Sequence, residues 1–379
     1  MAAVTPPLRV RPARALLAAL ALAGCTAYQA FDWRADLRSR LAERLGDAEA
    51  GRVPVPFAID DSLRQLVART FGPAGSEKRR TQEVLDFIFE RVGLRYSLLP
   101  TRDAMSTFRD HEGNCLSFVN LFVAVARERR LNPFFVEVTD YQNWSYRDGQ
   151  VVSQGHIVAG MRIDGKLSTY DFLPYRPKSY RSFQPIDDVT AIAHYYNNLG
   201  AEALFTGDLE RAAGHLELAS RVAPDFVKAI NNLGVLLARR GELERAAETY
   251  RRGLEHDPED VALLTNLASV SARLGRDEEA RQLYSRIEGR NNTNPFFFLY
   301  QGESALASGD TAEAGRLMTE ALRRDSESPE VHVGLVKLFM ATGDLERARH
   351  HLARALRLDA SHAEARRYAE LLRDRAGGS

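Results

Sequence analysis

The sequence predicts two unlike parts in one chain, a mixed α+β domain followed by an all-α solenoid of paired helices. Three observations lead there. Gly207, Gly241, Gly275, Gly309 and Gly343 recur every 34 residues, and so do Ala212, Ala246, Ala280, Ala314 and Ala348. Upstream of them the apolar pattern changes period, from helical spacing up to about residue 130 to a strand at 133–138. A hairpin over 156–173 is then centred on Asp164-Gly165, a dipeptide that favours a type I′ turn. For 379 residues, about two or three domains are expected. The formal net charge of zero provides no basic field for nucleic acid.

Residues 1–24 hold Arg9, Arg11 and Arg14, no acid, and an apolar run from Ala15 to Ala23 too short to span a bilayer. Removing them leaves 48 basic against 51 acidic residues. The ending Leu22-Ala23-Gly24-Cys25 resembles a bacterial lipobox. That resemblance implies a signal peptide cut before Cys25 and acylation of Cys25, anchoring the chain in a membrane. Thr26 follows, as in lipoproteins sent to the outer membrane, facing the periplasm. Residues 25–60 read as a tether containing one helix, Trp33 to Leu45, and a Val53-Pro54-Val55-Pro56 stretch that cannot be helical.

An ordered domain is expected over 61–190. Asp60 or Asp61 can cap a helix running to Arg69, and Ser76 a longer one to about Val92, with Val84, Phe87, Ile88 and Val92 on one face. Residues 115–130 are apolar on several sides and predict a buried central helix. Five repeats then fill 193–362, and 363–374 predicts a capping helix, so the array spans 193–374. The period and its small-residue positions resemble the tetratricopeptide repeat, a helix pair per repeat. The resemblance implies a protein or peptide partner. Asn197 and Asn231 recur at one inward position, and Arg239 and Arg273 at another. They are candidate groove residues, with a solvated polar face as the other reading.

With Cys25 consumed by lipid, Cys115 has no disulfide partner. It is then a reactive thiol, an intermolecular bridge or a buried inert residue. Asn114 is a candidate N-cap, which puts Cys115 in the first helical turn, where the positive helix end and free amides favour a thiolate and can serve a developing oxyanion. The hairpin register opposes Ile163 to Lys166, Val158 to Asp171 and His156 to Leu173. His156 and Asp171 therefore share a sheet face as diagonal neighbours, about 7–8 Å apart at the backbone. Ile157, Ala159, Met161 and Ile163 take the other face, toward the core. His111 is a rival base, and Tyr96 a candidate for either the cleft or the core. No histidine clustering suggests a metal, and no cofactor is called for.

Gly113-Asn114-Cys115-Leu116-Ser117-Phe118, the strand after Asn132-Pro133, Gly155-His156 and Asp164-Gly165-Lys166-Leu167-Ser168-Thr169-Tyr170-Asp171 together resemble the transglutaminase-like superfamily. The resemblance covers roughly 75–190. It implies a papain-like α+β fold with Cys115 as nucleophile, His156 as general base and acid, and Asp171 as orienting carboxylate. The chain departs from the commoner pattern at Leu116, Ser117 and Val119. The implied activity is that of a cysteine peptidase or amidase. The alternative is a non-catalytic lipoprotein scaffold that binds through its repeats.

Overall fold

The computed structural model describes residues 32–72, 75–97, 99–147, 150–163, 165–172, 182–287, 294–360 and 362–377, and the side chains of 140–147 and 374–377 lie outside that description. The signal peptide and Cys25 lie outside it as well.

The first helix, α1 (Trp33–Leu45), has the bounds read from sequence and is capped by Asp32. It is no tether. Trp33, Leu37, Leu41 and Leu45 repeat every four residues, a stripe that faces inward on a helix. Leu37 and Leu41 are buried in the main core, and Trp33 packs on Phe57 with ring centroids 5.7 Å apart. The short α2 (Asp47–Ala50) follows. Asp60 caps α3 (Asp61–Thr70), and Ser76 caps α4 (Glu77–Asp86), which runs on as a π-helical turn through Phe87–Arg91. Its predicted stripe of Val84, Phe87, Ile88 and Val92 is buried.

Two short parallel strands, β1 (Arg95–Tyr96) and β2 (Glu112–Gly113), flank α5 (Ala104–Asp110). They lead into α6 (Cys115–Glu128), a helix with unbroken burial from Leu116 to Ala126. An antiparallel sheet of β3 (Phe134–Arg147), β4 (Gln150–Ile163), β5 (Lys166–Tyr170) and β6 (Phe183–Ile186) lies against it in the order β5-β4-β3-β6. The turn sets the expected register. Ile163 pairs with Lys166, and Gly165 takes a φ of 77°. Ile157, Ala159 and Met161 enter the same core as α6, as expected. Both long strands run well beyond the expected hairpin, since β3 continues to Arg147 and β4 begins at Gln150.

Five helix pairs follow. They are α7 (Asp188–Thr206) with α8 (Leu209–Val222), α9 (Val227–Arg239) with α10 (Leu243–His256), and α11 (Val261–Arg273) with α12 (Asp277–Ile287). Then come α13 (Pro295–Ala307) with α14 (Thr311–Arg324), α15 (Pro329–Ala341) with α16 (Leu345–Leu358), and α17 (Ala363–Gly377), which buries Ala365 and Leu372 at the end of the stack. All five periodic glycines have φ between 74° and 86°, a left-handed conformation that stops each first helix without the strain a Cβ would add. The α+β part and the first repeats share one core, which extends from Leu37 to Ala229. Polar ties cross the same boundary: Tyr196 donates to the Pro54 carbonyl at 2.9 Å, and Arg127 pairs with Asp188 at 2.7 Å.

Candidate active site and repeat groove

Asn114 is the N-cap of α6. Its Oδ1 accepts from the Ser117 amide at 3.0 Å and the Ser117 hydroxyl at 2.9 Å, and its Nδ2 donates to Thr101 Oγ1 at 2.7 Å. The buried Ser117 Oγ also accepts from the Arg102 amide at 2.8 Å, so this side chain locks the helix head to the preceding loop. Asn114 is thus a positioning cap, with one amide hydrogen directed to Thr101. Tyr96 is partly buried against the main core, edge-on to Phe118 at 6.2 Å.

The cap holds Cys115, a half-buried free thiol, in the first turn. The ring of His156, on β4, lies close enough to Cys115 for the two groups to interact electrostatically. The His156 Nε2 lies 3.1 Å from Asp171 Oδ2, just past β5, which leaves Nδ1 as the ring nitrogen for sulfur. The imidazole is buried, with its side chain 3% exposed. Burial alone would lower its pKa, but hydrogen bonds and charge from Asp171 and Cys115 outweigh that and raise it to about 9. The three residues singled out from sequence therefore converge. Val158 and Asp171 lie one step beyond the last β4–β5 pair, Ala159 with Tyr170, so His156 sits where that ladder has ended. Leu173, its expected partner, lies outside the described residues. The rival, His111, donates from Nδ1 to the Val92 carbonyl at 2.5 Å. Among the described residues no cluster could hold a metal ion.

The groove residues have a different occupant from the one expected. In an antiparallel strand, a residue's N–H and C=O point to the same side, alternating along the chain. Residues 150–154 lie in register with β3, and by this alternation Val151 and Ser153 turn their backbone groups toward the repeats. Asn266 Oδ1 accepts from the Val151 amide at 2.7 Å while its Nδ2 donates to the Val151 carbonyl at 2.8 Å. Asn232 does the same for Ser153, at 2.9 and 2.8 Å. Asn231 and Asn197 add donors to the Val151 and Ser153 carbonyls, at 2.9 and 3.2 Å. Gln150 is bound by Tyr250 Oη at 2.5 Å and Ser269 Oγ at 3.1 Å.

Asn197 and Asn231 are therefore buried strand ligands, neither a solvated face nor an open site for a partner. Arg239 donates to the Leu204 carbonyl and Arg273 to that of Ala238 at 3.5 Å, tying the end of each first helix to the one before. Sequence reasoning missed Asn232 and Asn266. Their signal was available, since Asn198, Asn232 and Asn266 recur at the 34-residue period. Each clamp satisfies two backbone groups that no water reaches. Losing one leaves the strand amide without a partner, at about 1–3 kcal/mol, while the carbonyl keeps its donor from Asn231 or Asn197.

Models of the tetratricopeptide repeat match residues 197–255, 244–295 and 305–372. The helix pairs are tetratricopeptide repeats. Among solved structures, the thermophilic tetratricopeptide-repeat protein TTC0263 of Thermus thermophilus is 21% identical, with 48% of this chain and 98% of that one covered and a TM-score of 0.43. PilF of Pseudomonas aeruginosa is 23% identical over 50% of this chain and 87% of its own, with a TM-score of 0.38. YrrB, described as a repeat protein with an unusual peptide-binding site, is 17% identical over 47% of this chain and 92% of its own, with a TM-score of 0.31. No curated protein matches the chain significantly in sequence. Tetratricopeptide repeats are an interaction fold, and a protein or peptide ligand is the coarse expectation for 197–372.

Proposed function

We propose that the chain is an exported, membrane-anchored thiol acyl-transfer enzyme of transglutaminase-like type that hydrolyses an amide or peptide bond. One observation carries the reading: a buried imidazole bonded to a carboxylate stands beside the thiol at the head of α6. The sulfur's proton passes to His156, and Asp171 steadies the resulting imidazolium. The thiolate attacks the substrate carbonyl, and amides at the head of α6 stabilise the oxyanion. Collapse expels the amine, which takes the proton from His156, and leaves a thioester on Cys115. Water, deprotonated by His156, then releases the acid and restores the thiol. In this reading residues 61–190 form a papain-like domain, and lipid on Cys25 holds the enzyme to the outer membrane on its periplasmic side.

The test is the rate of iodoacetamide alkylation at Cys115 of the full chain against pH, read by peptide mass spectrometry. Fast reaction at mildly acidic pH, lost in His156→Ala, is the expected result. A rate that climbs only near pH ~8.5, as for a free thiol, with no response to His156→Ala, would remove the enzyme reading. A second reading, a non-catalytic lipoprotein scaffold, is favoured by the tetratricopeptide repeats and would then stand. Anchoring has its own check. Cys25→Ser should release the protein from the membrane fraction, and an unchanged distribution would contradict lipidation.

A further inference from the structure

The strand that carries the candidate base is the strand that fills the repeat groove. Val151 and Ser153 are clamped by Asn266 and Asn232, and His156 follows three residues after Ser153. The side chains add to the grip. Val151 is buried with Ala262, Phe296 and Leu299 from later repeats, and Val152 with Leu204, Leu216 and Val235 from the first two. An asparagine amide presents one donor and one acceptor in the geometry of a peptide group. A row of them replaces the missing neighbour strand along an edge that would otherwise be open.

The contacts also set what such a groove recognises. Among the described residues, the six asparagine bonds to Val151 and Ser153 go to main chain. Successive repeats grip alternate residues, the period of an extended strand. The ligand class is therefore an extended peptide backbone, and the chain supplies it in cis. Between clamp and base stands Gly155, where a Cβ would lie 2.8 Å from His194 Cε1 of α7, so β4 passes the first repeat at backbone contact. On its other side β4 is held by β3, where Glu137 bonds Lys228 of α9 at 2.6 Å.

We propose that the tetratricopeptide groove is an internal strand clamp, in which Asn232 and Asn266 are positioning residues that hold β4 so that His156 stays between Cys115 and Asp171. Its catalytic meaning rests on the thiol-enzyme reading, but the clamp itself does not require turnover. The groups that set the state of His156 are the Cys115 thiol from α6 and the Asp171 carboxylate after β5. Releasing the strand changes their distances from the ring without changing any of the three residues.

The experiment compares the full-length chain with Asn232→Leu/Asn266→Leu and, separately, with Ser153→Pro. The second variant deletes the N–H that Asn232 accepts and leaves every repeat residue intact. Helical circular dichroism shows whether the array is folded. Hydrogen exchange is followed at the β4 segment, and the His156 ring is titrated by NMR. In either folded variant, exchange over 150–154 should accelerate about tenfold or more, and the His156 midpoint should fall from about 9 toward its ordinary value. Unchanged exchange would overturn the clamp, and faster exchange with an unmoved midpoint would overturn the positioning role. Neither result depends on Cys115 alkylation, which decides the enzyme reading on its own.

Discussion

The two ends of β4 solve one problem in two ways. From Ala159 to Ile163 its outer edge is paired with β5, the next segment in sequence, joined by a tight turn. From Val151 to Ser153 the same edge is paired with asparagine side chains that come from 44 to 115 residues away. The first half is local and needs only the turn and an apolar face. The second depends on an entire helical array being stacked in register. His156 lies between them, at a point neither half alone would fix. The comparison shows how a repeat array can be structural machinery for a neighbouring domain, beyond its usual part as a surface for partners.

Mutations in the two halves should separate these regimes. The largest effect is expected at the apolar face. Phe135 is fully buried, pairs with Ala159 and packs 5.1 Å from Phe57. Phe135→Ala should cost about 3–5 kcal/mol in urea unfolding, and a loss below about 1 would deny that this face is the core. In the clamped half, Tyr250→Phe deletes the hydroxyl on Gln150 and leaves a buried amide oxygen short of a donor. The expected loss is about 1–2 kcal/mol, with faster exchange confined to the 150–154 segment.

Acid should act between these magnitudes at the domain boundary. Burial would raise the pKa of Glu137, but His194 and Lys228 outweigh it and hold the carboxyl well below its ordinary range. A depressed carboxylate pKa gives stability that is present above the unfolded value and lost as pH falls through the folded one. Glu137→Gln should therefore cost stability near neutrality and flatten the acid limb of the stability–pH curve. An unchanged acid limb would contradict the pairing. His156 works in the opposite sense. Its raised pKa gives stability that is full below about pH 6.5 and lost as pH climbs through about 9. His156→Gln should be the smallest of these changes at alkaline pH, and larger in mild acid.

Much of this was legible in the sequence, for physical reasons that differ by element. Caps at Asp60, Ser76 and Asn114 and the glycine at each repeat turn are local chemistry, so they could be read from neighbouring residues. The Ile163–Lys166 register followed from a two-residue turn, and it placed His156 near Asp171. The extension of β4 back to Gln150 was not legible, because the groups that satisfy its edge are distant in sequence. The inward asparagines form a visible pattern but have an unexpected ligand, since nothing local says that a groove is filled from within. The supposed tether carries a visible stripe of Trp33, Leu37, Leu41 and Leu45, yet its partner surface, including Phe57, has no local signal.

The central claim is that one imidazole is shared by a sulfur and a carboxylate and is held there by the strand that the repeats grip. Its most direct test is the NMR titration of His156 in the intact chain, alongside Cys115→Ser and Asp171→Asn. The account predicts a midpoint near 9 that drops in each variant. A midpoint at or below the ordinary histidine value, indifferent to both substitutions, would contradict it.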